Sequence, residues 1–271
     1  MKTLNKLLIV IVLFSASCKK SIDTVAPNVA VKQEPEVCVL NLVPSQTDPA
    51  YRKNPRTTQP SPTPTPTPDP VPTTDTSYGV MLLDFDGQTI SSSAWNNGQT
   101  FTCAASGLDA AQIDLVINEV KADYSRYKVI ITTDENLYIQ AHTTKRMRVV
   151  VTPTSGWYQG VSGVSYTGSL TWGDNTPCFV FIDRLNYGTH KVAEICSHEL
   201  GHTVGLSHQS SYSSTCVFTS TFNEGDGTNA PLMGNSLYAT NGGSWWIGPT
   251  PNGCTAYQDD NKILTAKLLL R

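Results

Sequence analysis

The chain has 271 residues, enough for one or two domains, and carries a formal net charge of −3. No basic field is present to hold a polyanion, so nucleic acid is excluded as a partner. Charged residues make up only 15% of the chain, and Ser, Thr, Gly and Asn are frequent, a balance suited to an exported protein.

Lys2 and Lys6 precede the apolar run of residues 7–14, which ends in Ser15-Ala16-Ser17-Cys18. A positive start, a short apolar stretch and small residues describe a secretory signal peptide over residues 1–17. The run is too short for a mature membrane-spanning helix. A cysteine directly after small residues resembles a bacterial lipoprotein signal, in which Cys18 becomes the lipidated first residue, although Ser15 stands where leucine is usual. An ordinary cleaved signal with Cys18 incidental is the alternative. The first reading implies a protein exported and lipid-anchored to a bacterial outer membrane or cell surface.

Residues 18–77 then form a lipidated N-terminus and a Pro/Thr-rich linker. Proline occupies alternate positions through residues 59–72, a pattern that favours polyproline II and acts as a semi-rigid spacer of about 3.1 Å per residue. The other use of such a segment, as an SH3-type ligand, has no obvious reader outside a cell. One apolar island, residues 36–42, interrupts this region and contains Cys38.

The globular part spans residues 78–271. It opens on a buried-strand run, residues 78–85, closed by Asp86-Gly87. Asp84 and Asp86 suggest either a calcium site or a strand end with an Asp-Gly turn. A helix follows over residues 109–127, with Ile113, Val116, Ile117 and Val120 on one stripe and Asp109 as its N-cap or first-turn acid. Residues 128–133 and 148–152 read as strands. Residues 160–171 alternate weakly and suit either a solvent-facing edge strand or a loop. Residues 178–183 form a short buried strand, and residues 189–206 a helix whose Val192, Ile195 and Val204 pack on the sheet. A last helix over residues 259–270 offers Ile263, Leu264 and Leu268 for burial. No internal repeat is present.

The helix over 189–206 carries the chemistry, in His198-Glu199-Leu200-Gly201-His202-Thr203-Val204-Gly205-Leu206-Ser207-His208. Two histidines four residues apart on a helix are separated by about 400° of rotation and roughly 6 Å of rise, so they share a face and can bind one ion. Glu199 leans over the same region and can take a proton from water. Gly205 can adopt positive φ and turn the chain sharply, returning His208 as a third ligand and leaving a position open for water. Three of the chain's five histidines fall in this stretch, which weighs against histidines that merely sit on a polar helix face. His142 and His190 have no partner at ligand spacing.

This pattern, H-E-x-x-H-x-x-G-x-x-H, followed by Ala230-Pro231-Leu232-Met233-Gly234, resembles the metzincin zinc peptidases, closest to secreted bacterial reprolysin-like members. The resemblance covers residues 78–271. It implies an α+β, zincin-like metzincin domain: a twisted mixed sheet of about five strands, with one antiparallel edge strand and three main helices. It further implies one Zn(2+) per chain on His198, His202 and His208, with Met233 as an apolar base beneath them in a Met-turn. Glu199 is then the general base for a zinc-bound water, and the activity is that of a metalloendopeptidase cutting extracellular proteins or peptides as a monomer. Activity would fade below about pH 6, as histidines near their reference pKa of about 6.5 protonate and release metal. In some members a tyrosine after the methionine assists the oxyanion. Asn235 stands at that position here, with Tyr238 a distant substitute. A propeptide cysteine caps the zinc in some zymogens, a role Cys38 can be asked to fill although its neighbours do not match that motif. Two rivals stay open: a non-catalytic surface-binding lipoprotein on a metalloprotease-like domain, and a zincin with a distant glutamate as third ligand.

Seven cysteines less a lipidated Cys18 leave six disulfide candidates in an exported chain. Cys103 and Cys178 flank the first helix and a core strand, Cys216 and Cys254 bracket the Met233 turn, and the resemblance favours these two pairs. Cys196 lies two residues before His198, which on a helix points it about 200° away, so it is expected as a buried thiol.

Overall fold

The computed structural model describes residues 77–91 and 93–271, together with the backbone of residues 36–38. The segment expected as a signal peptide, Cys18 and the Pro/Thr-rich stretch of residues 59–72 lie outside the described residues. Within them the chain is α+β, with a mostly parallel sheet and four α-helices. In chain order the sheet strands are β1 (Glu36–Cys38), β2 (Gly79–Asp84), β5 (Val129–Thr132), β6 (Arg146–Thr152), β7 (Gly163–Ser165) and β8 (Cys178–Phe181); β3 (Gln88–Ile90) and β4 (Phe101–Cys103) form a separate hairpin. The sheet order is β1-β7-β8-β6-β2-β5. Strands β5, β2, β6 and β8 run parallel, and β7 runs antiparallel to β8.

Strand alternation divides the core into two faces. Met81, Leu83, Val149, Val151, Cys178 and Val180 face one layer, with α1 (Ala110–Asp123), α3 (Thr189–Val204) and α4 (Asp260–Leu268) contributing to it. Val150, Val164, Phe179 and Phe181 face the other, beneath Trp95, Phe101 and Trp157. On that second side, α2 (Glu135–Gln140), which the sequence pattern did not suggest, packs Tyr138 against Val80 and Leu82.

Helix α1 begins as expected. Asp109 accepts from the Gln112 N–H at 2.9 Å while Gln112 Oε1 accepts from the Asp109 N–H at 3.0 Å, a reciprocal capping box. It stops at Asp123 rather than residue 127, because Tyr124 and Tyr127 turn inward to full burial and Tyr124 donates to the Ser197 carbonyl at 3.0 Å. The stretch 160–171 yields only the short strand β7; residues 169–171 form a 3-10 turn. Helix α4 starts behind Asp259, whose side chain accepts from the Lys262 N–H.

Beyond α3 the chain is mostly short strand pairs: β9 (Ser211–Tyr212) with β10 (Phe218–Ser220) and β13 (Ile247–Thr250) with β14 (Gly253–Asp259) as hairpins, and β11 (Ala230–Pro231) parallel to β12 (Gly243–Ser244). The expected Cys216–Cys254 disulfide is formed and staples these two hairpins together. The other expected pair is not. Cys103 and Cys178 are both free and buried, because Cys103 packs with Trp95 and Phe179 on one side of the sheet while the Cys178 side chain lies on the other. Cys196 is a buried free thiol, as its place on the helix suggested. Burial pushes the Cys103 thiol up to about 11, so it is held protonated.

Candidate metal centre

Helix α3 is built to be buried: every residue from Val192 to Val204 is out of solvent. It ends where Gly205 takes φ +119°, a left-handed conformation in which its N–H reaches the Gly201 and His202 carbonyls and the Leu206 N–H also returns to Gly201. The chain reverses, and His208 comes back over the helix. Three imidazole nitrogens converge there. His198 Nε2 and His202 Nε2 lie 3.0 Å apart, as do His202 Nε2 and His208 Nε2.

The opposite ring nitrogens explain this contact. The His198 Nδ1–H donates to the Leu232 carbonyl at 2.5 Å, and the His202 Nδ1–H donates to the Leu206 carbonyl at 2.7 Å. With the proton fixed on Nδ1, each Nε2 presents a lone pair to the other. Two acceptors at 3.0 Å repel unless a cation lies between them. Tetrahedral coordination at roughly 2.0–2.1 Å would set such nitrogens about 3.3 Å apart, so the donors present fit a metal ion. These three buried histidines are close enough to bind one ion together. Burial keeps them neutral: His202 is pushed down to about 4, and His198 and His208 fall well below the ordinary imidazole value, for the same reason first and their mutual proximity second.

The supports come from distant parts of the chain. Met233 is fully buried under α3, and a Cβ on Gly201 would stand 2.7 Å from its Sδ, so the glycine makes room for the methionine. The turn that carries Met233 also supplies the Leu232 carbonyl to His198 and the Met233 carbonyl to the Gln209 N–H at 2.7 Å. Phe222 lies against the His208 ring at 4.6 Å. Gln258 and Asp260, absent from the sequence reading, hold both flanks of His208. Gln258 bonds the Ser207 N–H and carbonyl, and Asp260 accepts from Gln209 and Gln258 at 2.9 Å each. Burial raises the Asp260 carboxyl to about 6.

Glu199 is buried against β7. Ser165 Oγ donates to its Oε2 at 2.5 Å, and Gly163 lies so close that a Cβ there would collide with Oε1. Nothing in the local pattern around 198–208 pointed to Ser165; only strand pairing brings it there.

Other candidates sit elsewhere. Tyr238 is exposed, beside Lys191 near the start of α3, and Asn235 reaches Glu224. Asp84 pairs with Arg148 at 2.5 Å, which also binds Glu135, so the strand end is an ion pair followed by the expected turn, with Gly87 at φ +93°. Its carboxyl is raised to about 6 by burial, against the opposing pull of Arg148. His142 caps a 3-10 turn through Thr144. His190, which stands outside the histidine cluster, lies between Glu119 at 2.6 Å and Glu194 at 3.7 Å. Cys38 belongs to β1.

No protein family model matches the chain, and no curated protein matches it.

Proposed function

We propose that the chain is an exported zinc endopeptidase of the metzincin kind, tethered by lipid on Cys18, that cuts extracellular proteins or peptides. The observation that carries this reading is the return of His208 at Gly205 onto the His198–His202 pair, with carbonyls behind the rings. The donor set is three neutral imidazoles, one of the ligand sets with which a catalytic zinc keeps a position open for water. When bound, zinc supplies an activated water at neutral pH and polarises the scissile carbonyl.

The residues of the chain do the rest. His198 and His202 are oriented by Leu232 and Leu206, and His208 by the Gln258–Asp260 clamp on its flanks. Ser165 donates to Oε2 of Glu199 and so orients the carboxylate that would take the proton and pass it to the leaving amine. Met233 and Leu206 keep the floor of the site apolar and dry.

The test is Glu199→Gln. Its metal content and melting temperature should match wild type, while hydrolysis of a mixed peptide pool at equal zinc occupancy falls by about 10²–10⁴. Equal activity removes Glu199 from the mechanism. No hydrolysis by zinc-loaded wild type, in the full chain or after removal of residues 1–76, favours the surface-binding rival.

A further inference from the structure

The face of the sheet away from α3 carries a cavity of its own. Strand phase sets Arg146 and Arg148 of β6 opposite Val80 and Leu82 of β2, on the side that α2 covers. Their guanidinium carbons lie 4.7 and 4.8 Å from the centre of the buried Tyr138 ring. With β3 and the loop before β8, these residues line a cavity of about 260 Å³.

The two arginines are spent differently. Arg148 is 11% exposed and doubly neutralised, by Asp84 at 2.5 Å and Glu135 at 2.6 Å. Arg146 meets no carboxylate among the described residues. Its Nη1 donates to the Tyr138 and Ile139 carbonyls at 3.2 and 2.8 Å, and its Nε is buried with no hydrogen-bond partner. Only backbone dipoles and a ring face answer this partly buried charge, although the guanidinium fork matches a planar carboxylate. Around it, the Gln88 and Asn175 amides and the Ser91 hydroxyl make no hydrogen bond with the described residues.

From this arrangement we propose that the cavity binds one acidic sugar unit, a singly charged carboxylate bearing several hydroxyls, with Arg146 on the carboxylate. The volume is below the roughly 300–1,000 Å³ of pockets for drug-sized molecules, so the occupant is small. Amide and hydroxyl side chains both donate and accept, as sugar hydroxyls do. Glu135, 48% exposed, also lines the cavity; it accepts from hydroxyls and repels a second negative charge, which disfavours phosphate. The site lies across the sheet from the histidines and does not depend on what they do.

The test titrates the full chain by calorimetry with three probes: glucuronate, glucose and inorganic phosphate. The two sugars differ only in a carboxylate against a CH2OH, so their ratio reads the Arg146 contact. Glucuronate should bind at millimolar concentration, about tenfold or more tighter than glucose or phosphate. Arg146→Gln should bring glucuronate down to the level of glucose. Because Arg146 also holds the end of α2, a second variant, Gln88→Ala/Asn175→Ala, alters only groups without protein partners; it should weaken both sugars a few fold at an unchanged melting temperature. Glu135→Gln should narrow the preference for glucuronate over phosphate. Equal binding of the two sugars, or no binding of glucuronate at tens of millimolar, overturns the proposal. Phosphate bound by wild type as tightly as glucuronate replaces the sugar assignment with a general anion site. Unchanged sugar binding in the Gln88/Asn175 variant puts the ligand elsewhere. No readout involves zinc or hydrolysis, so failure here is distinct from failure of the peptidase reading.

Discussion

Helix α3 carries two polar pairs at the same i, i+4 spacing, and they have opposite fates. In its first half, His190 and Glu194 face a cluster that includes Glu119 and Asp123. His190 spends its two ring nitrogens on different carboxylates, and Glu194 turns to Ser236 and the Gly243 N–H, tying the loop after Met233 to the helix. Nothing converges. In the second half, His198 and His202 each commit Nδ1 to a backbone carbonyl, and their remaining nitrogens meet. Burial raises Asp123, which faces this helix from the end of α1, to about 7, whereas burial pushes His202 down to about 4. Helical spacing makes two side chains neighbours; the group behind each ring decides whether they become ligands.

The largest effect should come from setting the two pairs against each other. His198→Ala or His202→Ala should weaken zinc binding by more than about 100-fold, beyond the range seen for groups outside the ligand set, while His190→Ala changes it by no more than a few fold. Competition with a chromophoric chelator measures all three. A comparable loss in His190→Ala would dissolve the contrast between the halves.

Next comes the packing beneath the second half. Gly201→Ala drives a methyl into Met233 in a filled core, at a cost of about 1–3 kcal/mol, of which helix propensity returns up to about 1. A net destabilisation of about 1–2 kcal/mol in urea, with zinc retained, is expected. Equal stability would show that Met233 yields freely and is no fixed floor.

The pH dependence separates the same two regions by sign. The Asp123 carboxyl is raised from 3.8 to about 7, so its contribution to stability is present below about 4 and lost as pH rises through 7. The His202 ring is lowered from 6.5 to about 4, so its contribution is present above about 6.5 and lost as pH falls through 4. Asp123→Asn should therefore stabilise the protein at pH 8 and leave it nearly unchanged at pH 4, with urea melts as the measure. Burial also shifts the expectation for metal. Protons compete for these rings only well below the ordinary imidazole range, so zinc should survive at pH values under the threshold near 6 that the sequence suggested.

Much of the centre was legible because it is local. His198, His202, Gly205 and His208 lie within a few helical turns, where spacing alone fixes direction, and Met233 follows on a turn with its own residue signature. What stayed hidden depends on the sheet. Ser165 meets Glu199 only because β7 pairs with β8, and Gln258 and Asp260 reach the flanks of His208 from the far hairpin and α4. The Cys103–Cys178 expectation failed for a related reason: which face of a sheet a side chain takes is set by strand phase, and Cys103 and Cys178 fall on opposite sides. Cys216 and Cys254 lie on adjoining hairpins, and their pairing held.

The central claim is that Gly205 returns His208 to complete a three-histidine zinc site. Metal content of wild type and His208→Ala, purified in parallel and dialysed against the same weak chelator, tests it most directly. The account predicts about one zinc per chain in wild type, on the coordination expected for three imidazoles, and loss of most of it in the variant. Equal zinc in both proteins, or none in wild type after zinc loading, would contradict it.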